Sequence, residues 1–155
     1  MDKPANDSIA DLLARFRAEH RELEQVMQAL RALLAAVEPD SGLHALRWRF
    51  CFLIARHVSV EDTHAYPALR DDPRPHVAQT VRRFTGKSGS LRQEVDIWQR
   101  GWSSERIAAN WDDFVVETTA LLDEVDHRIA CEERDLFPLL GIADSLSGAR
   151  TAPRT

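Results

Sequence analysis

The chain has 155 residues, 44% of them hydrophobic and 29% charged, with a net charge of −5. That length fits one domain with a sizeable core, and that balance excludes intrinsic disorder. The charges are interspersed without a basic patch, which argues against a nucleic-acid partner. No run approaches the roughly 20 apolar residues of a membrane span, since Phe50 to Ala55 is bounded by Arg49 and Arg56.

Helical periodicity dominates, and strand alternation and hairpin turns are absent. Asp7 or Ser8 caps a first helix with the stripe Ile9, Leu12, Leu13, Phe16, Leu23, Met27, Leu30, Leu34, Val37, stopped by Pro39. The second helix runs from about Leu43 to Leu69 on Leu46, Phe50, Leu53, His57, Glu61, His64 and Ala68. The third begins near Pro75 with Val77, Val81, Phe84, Leu91, Val95 and Trp98, and Gly86 and Gly89 predict a bend or break within it. Ser103 or Ser104 opens a short helix through Ile107. Asn110, with Asp113 three residues on, then caps a last long helix over about Trp111 to Leu140. Its stripe is Phe114, Thr118, Leu121, Val125, Arg128, Glu132, Leu136 and Leu139. Four long amphipathic segments with short connections predict an all-α, up-down four-helix bundle. Residues 1–7 are expected to be a disordered N-terminus, 8–141 the bundle and 142–155 a flexible tail. Cys51 and Cys131 have no metal or redox spacing, and the start MDKPANDS shows no secretory segment. Together they predict reduced thiols in a cytoplasmic protein.

Chemistry is concentrated where the stripes turn polar, because burying a charge without a partner costs several kcal/mol. His20 interrupts the first stripe, His57 and Glu61 the second, and Glu132 the fourth. A histidine and a carboxylate four residues apart share one helix face, where one cation can take both. Imidazole with carboxylate suits iron, manganese or zinc. The alternative is a set of core histidines that are simply hydrogen-bonded.

An internal repeat sharpens this. Glu61-Asp62-Thr63-His64-Ala65-Tyr66-Pro67-Ala68-Leu69 and Glu132-Glu133-Arg134-Asp135-Leu136-Phe137-Pro138-Leu139-Leu140 share one pattern: acid, acid, two residues, apolar, aromatic, proline. His20 precedes the first copy much as Ser88 precedes the second, so the chain reads as two related helix pairs. The segment His57-xxx-Glu61-Asp62-xxx-Tyr66-Pro67, with Glu132-Glu133-xxx-Phe137-Pro138, resembles the hemerythrin-like, HHE cation-binding domain over roughly residues 8–141. The resemblance implies a four-helix bundle whose core holds two irons, ligated by histidines from all four helices and by carboxylates that can bridge. It also implies binding of O2, or sensing of O2, redox state or iron.

The carry-over is partial. His20, His57, Glu61 and Glu132 match family ligands, but the expected histidine of the third helix aligns with Ser88 and that of the fourth with Arg128. His127 lies five residues before Glu132, a spacing that the oxygen-carrying hemerythrins use, while the apolar period turns it about 100° away from Arg128. The candidate metal ligands are therefore His20, His57, Glu61, Glu132 and His127. Two facing carboxylates repel, and a guanidinium at Arg128 supplies the charge of one lost iron. The site then holds one or two iron ions, or none, in which case Arg128 pairs with Glu61 and Glu132 and the bundle is a metal-free interaction module. His64 is read as an edge histidine, His76 as exposed and His44 as silent. Arg47, Arg49 and Arg56 are read as a solvated face, and Trp48, Trp98, Trp102 and Trp111 as core or interface residues, with a homodimer or protein partner in view. No catalytic triad order, phosphate loop or dinucleotide fingerprint is present. An oxidative di-iron enzyme lacks at least two of its ligands here.

Overall fold

Each long helix buries one apolar stripe, and four such stripes close a core. In a computed structural model, which describes residues 8–142, α1 spans Ile9–Leu34, α2 Leu43–Val60, α3 Tyr66–Leu69, α4 Pro75–Gly101, α5 Ser104–Ala109 and α6 Trp111–Cys131. The predicted N-terminal segment, and all of the predicted tail beyond Ile142, lie outside the described residues. α1 packs on α2 and α6, and α4 packs on α2 and on the turn that comes after α6. The result is an antiparallel four-helix bundle with no strand among the described residues. No described helix is long and apolar enough to cross a membrane.

Ser8 caps α1 in a reciprocal box with Asp11. The helix ends at Leu34, so Val37 is 94% exposed rather than part of the stripe. α4 runs unbroken through Gly86 and Gly89. Both glycines are exposed, and their propensity cost of about 1 kcal/mol each is outweighed by the buried Phe84, Ser88 and Leu91 on the opposite face. Asn110 makes no side-chain cap on α6, and its amide donates back to the Arg106 carbonyl instead.

The second and fourth helices depart from the regular helices expected of the sequence. Each widens into a π-helical turn, Glu61–Ala65 after α2 and Glu132–Leu136 after α6. The Tyr66 and Phe137 amides bond five residues back, to the Glu61 and Glu132 carbonyls. Pro67 and Pro138 come directly after. A proline inside a helix lacks a donor and crowds the carbonyl four residues earlier, and a widened turn accommodates it. The extra residue rotates the chain beyond it. Ala65, Tyr66 and Leu69 are buried after the first turn, and Leu136, Phe137 and Leu140 after the second. His64 and Ala68, expected on the stripe, are exposed.

The core is split in two. One apolar cluster gathers Leu23, Met27, Leu30, Phe50, Leu53, Trp98 and Phe114. The other gathers Leu12, Phe16, Tyr66, Val77, Phe84, Leu136 and Phe137. Between them lies a polar layer. Arg47, read from sequence as solvated, is 2% exposed. It donates to the Trp102 carbonyl (2.9 Å) near the end of α4, and its guanidinium lies over Trp98. It thereby closes open carbonyls where α4 ends.

Candidate metal centre

The polar layer consists of His20 from α1, His57 from α2, Ser88 from α4, Arg128 from α6, and Glu61 and Glu132 at the heads of the two π turns. All six are buried. Three of their atoms meet at one point: His20 Nε2 and His57 Nε2 lie 3.0 and 3.1 Å from Glu132 Oε2, and 3.3 Å from each other. Glu61 Oε1 is 3.8 Å from His57 Nε2 and has no hydrogen-bond partner despite its burial.

The far sides of both rings are fixed. His57 Nδ1 is 2.9 Å from Glu19 Oε2, and His20 Nδ1 is 2.9 Å from Glu133 Oε1. An ionised carboxylate only accepts, so each Nδ1 carries a proton, and a ring that is neutral turns its Nε2 lone pair inward. Two lone pairs and a carboxylate oxygen within 3.3 Å of one another repel unless a cation or added protons lie among them. Such separations are the edges expected between ligands held about 2.1 Å from one metal ion. The donor set and the unpartnered Glu61 oxygen therefore fit a transition-metal cation.

The other half of the layer is filled differently. Arg128 Nη2 donates to Glu61 Oε2 (3.2 Å) and to Ser88 Oγ, and its Nε lies 2.6 Å from Glu132 Oε1. That last contact is close but off the hydrogen-bonding direction, so it acts through charge. Tyr66 Oη sits 2.8 Å from Ser88 Oγ. The repeat is legible in space. Phe137 stacks on His20 with centroids 5.2 Å apart, and its counterpart Tyr66 reaches Ser88, the counterpart of His20. Each π turn serves the first helix of the opposite half.

Electrostatics separate the two inner carboxylates. Burial and the neighbouring Glu132 raise the pKa of Glu61 to about 7. Burial also opposes ionisation of Glu132, but the hydrogen bonds of both histidines and the charges of His57 and Arg128 overcome it and hold its carboxyl well below the usual range. Burial disfavours a charged His57, yet bonds to Glu132 and Glu19 and the field of Glu61 lift its pKa to about 10. Without a metal, the layer keeps a proton on His57 at neutral pH.

Of the five residues singled out from sequence, the fold brings together His20, His57, Glu61 and Glu132. His127 stays outside. Its ring is exposed and meets Cys131 Sγ at 3.5 Å, because α6 keeps its regular step and Arg128 takes the inward position. His44 and His76 are also exposed. Glu19 and Glu133 were missed. Glu19 falls on the apolar period of α1, three after Phe16 and four before Leu23, which was the available signal, whereas Glu133 is half exposed and its only signal was that it adjoins Glu132.

A family model described as Hemerythrin HHE cation binding domain matches residues 11–140. No match to the chain was found among curated proteins or among solved structures. The matched span covers the whole bundle, and the His/Glu cluster stands at its middle. This chain belongs to the hemerythrin HHE cation-binding domain family.

Proposed function

We propose that this protein binds a single iron ion through His20, His57 and Glu132, with Glu61 as a further ligand, and uses it to sense or bind O2, redox state or iron. The carrying observation is the convergence of His20 Nε2, His57 Nε2 and Glu132 Oε2 while Glu133 and Glu19 hold both Nδ1 atoms. A bound iron supplies redox chemistry and an open coordination position. The chain's own residues do the rest. Glu19 and Glu133 orient the rings, Phe16 and Phe137 wall the site against water, and Arg128 fills the second half with fixed charge. The thiols of Cys51 and Cys131 are unpaired, which fits a reducing, cytoplasmic setting.

The Arg128 contacts with Glu61 and Glu132 favour a second reading, in which the layer closes on protons alone and the bundle is a metal-free interaction module. Metal analysis of protein purified without a histidine tag separates the two. One iron per chain, lost in His57→Ala, is the result expected of the first. Absence of metal together with a melting temperature indifferent to chelator sinks it. Two irons per chain refute the assignment of Arg128.

A further inference from the structure

Trp48 and Phe52 stand one turn apart on the outer side of α2, 55% and 62% exposed. Beside them, between α2 and α4, runs a groove of about 480 Å³ floored by Cys51, Ile54, Ala55 and Val95. On its α4 bank, Asp96 and Arg100 form an exposed ion pair at 3.0 Å. An aromatic ridge on one helix, with opposite charges one turn apart on its neighbour, forms a surface that can pair with itself across a twofold axis.

We infer that this face binds a second copy of the chain in a twofold, antiparallel dimer. The ring contact of Phe50 with Trp98, centroids 5.9 Å apart, sets α2 and α4 at a common level. Position 50 lies midway between Trp48 and Phe52, and position 98 midway between Asp96 and Arg100. One twofold axis through that level, lying in the face and perpendicular to the helices, satisfies both banks. It sets Trp48 against the partner's Phe52 and Asp96 beside the partner's Arg100. An axis parallel to the helices instead lays α4 over the partner's α2. That helix carries arginines and no carboxylate between Leu43 and Val60, so Arg100 would find no counter-charge there. Charge complementarity therefore selects the antiparallel arrangement.

The dimer does not depend on the metal reading. Sedimentation velocity at tens of micromolar, with circular dichroism to confirm unchanged helicity, tests it. The wild-type chain sediments as a dimer. Trp48→Glu removes the ridge, Asp96→Arg sets like charges together across the axis, and both sediment as monomers. Asp96→Arg combined with Arg100→Asp restores the opposite pairing and the dimer. A wild-type monomer overturns the inference, whatever else the groove takes. So does a dimer that survives both single variants, or a double variant that stays monomeric.

Discussion

Replacing Arg128 with methionine, which keeps most of the stem volume and removes the charge, probes the layer most directly. Arg128 is 7% exposed and touches two carboxylates, Glu61 at 3.2 Å and Glu132 at 2.6 Å. Removing one partner of a buried ion pair costs about 3–5 kcal/mol, because the remaining charge is left uncompensated. Glu61 limits the loss. Its pKa is already raised to about 7, and without the guanidinium it rises further and takes up a proton. The penalty in metal-free protein is therefore larger at pH 8 than at pH 6. At roughly 2–4 °C per kcal/mol for a domain of this size, the melting temperature at pH 8 falls by about 10 °C. A divalent cation restores much of it by replacing the lost charge. Thermal melts followed by circular dichroism at both pH values, with and without metal, read this out. A metal-free variant within about 1 kcal/mol of wild type at pH 8 refutes the claim that Arg128 neutralises the two carboxylates.

Metal-free protein loses stability as pH rises. Glu61 and His57 both have folded-state pKa values above their ordinary ones, 4.5 to about 7 and 6.5 to about 10, so each contributes stability at low pH that fades through those windows. For His57 the loss between pH 6.5 and 10 is bounded at about 5 kcal/mol. Urea melts at pH 6 and pH 9 check it: a flat metal-free profile contradicts the assignment, and bound metal flattens the slope because it takes the deprotonated ring. Replacing Ser88 and Arg128 together with histidine gives the second half the same residues as the first. Cobalt(II) titration should then saturate at two ions per chain in the double variant and one in wild type, and a variant that still takes one ion argues against the repeat as the origin of the site.

The number of helices, their order and the inward depth of His20, His57, Glu61 and Glu132 were legible because burial imposes a period on sequence. The path of the chain beyond Glu61 was not. A regular helix carries His64 and Ala68 inward, whereas the π turn exchanges them for Ala65, Tyr66 and Leu69. Tyr66-Pro67 and Phe137-Pro138, recurring at the same offset from an acid, were the available signal, since a proline that deep in a helix calls for a local widening. Arg47 misled for another reason. One long stem can bury itself when the helix end it faces offers bare carbonyls, as α4 does at Gln99 and Trp102. The period of α1 places Glu19 inward, but the roles of Glu19 and Glu133 belong to tertiary geometry: each is defined by the ring it touches on a different helix, a relation that no single-helix period encodes.

Charge decides how many ions such a layer can hold. In the buried half-space, two carboxylates, Glu61 and Glu132, face one guanidinium, Arg128, leaving one negative charge. Glu19 adds little, being balanced by Arg15 at 3.3 Å and Arg56 at 3.6 Å, and Glu133 is half open to solvent, where water screens it. One proton on His57 makes the layer neutral, and one divalent cation leaves it a single positive charge. Two divalent cations would leave three positive charges between two apolar clusters, with a guanidinium where the sequence pattern places a second histidine and only the already engaged Glu19 and the solvent-screened Glu133 nearby. On the proposed reading, the same arginine that neutralises the metal-free layer also limits it to one ion. On that reading proton and metal compete for the one position between His20, His57 and Glu132, so stability, metal affinity and pH are expected to move together.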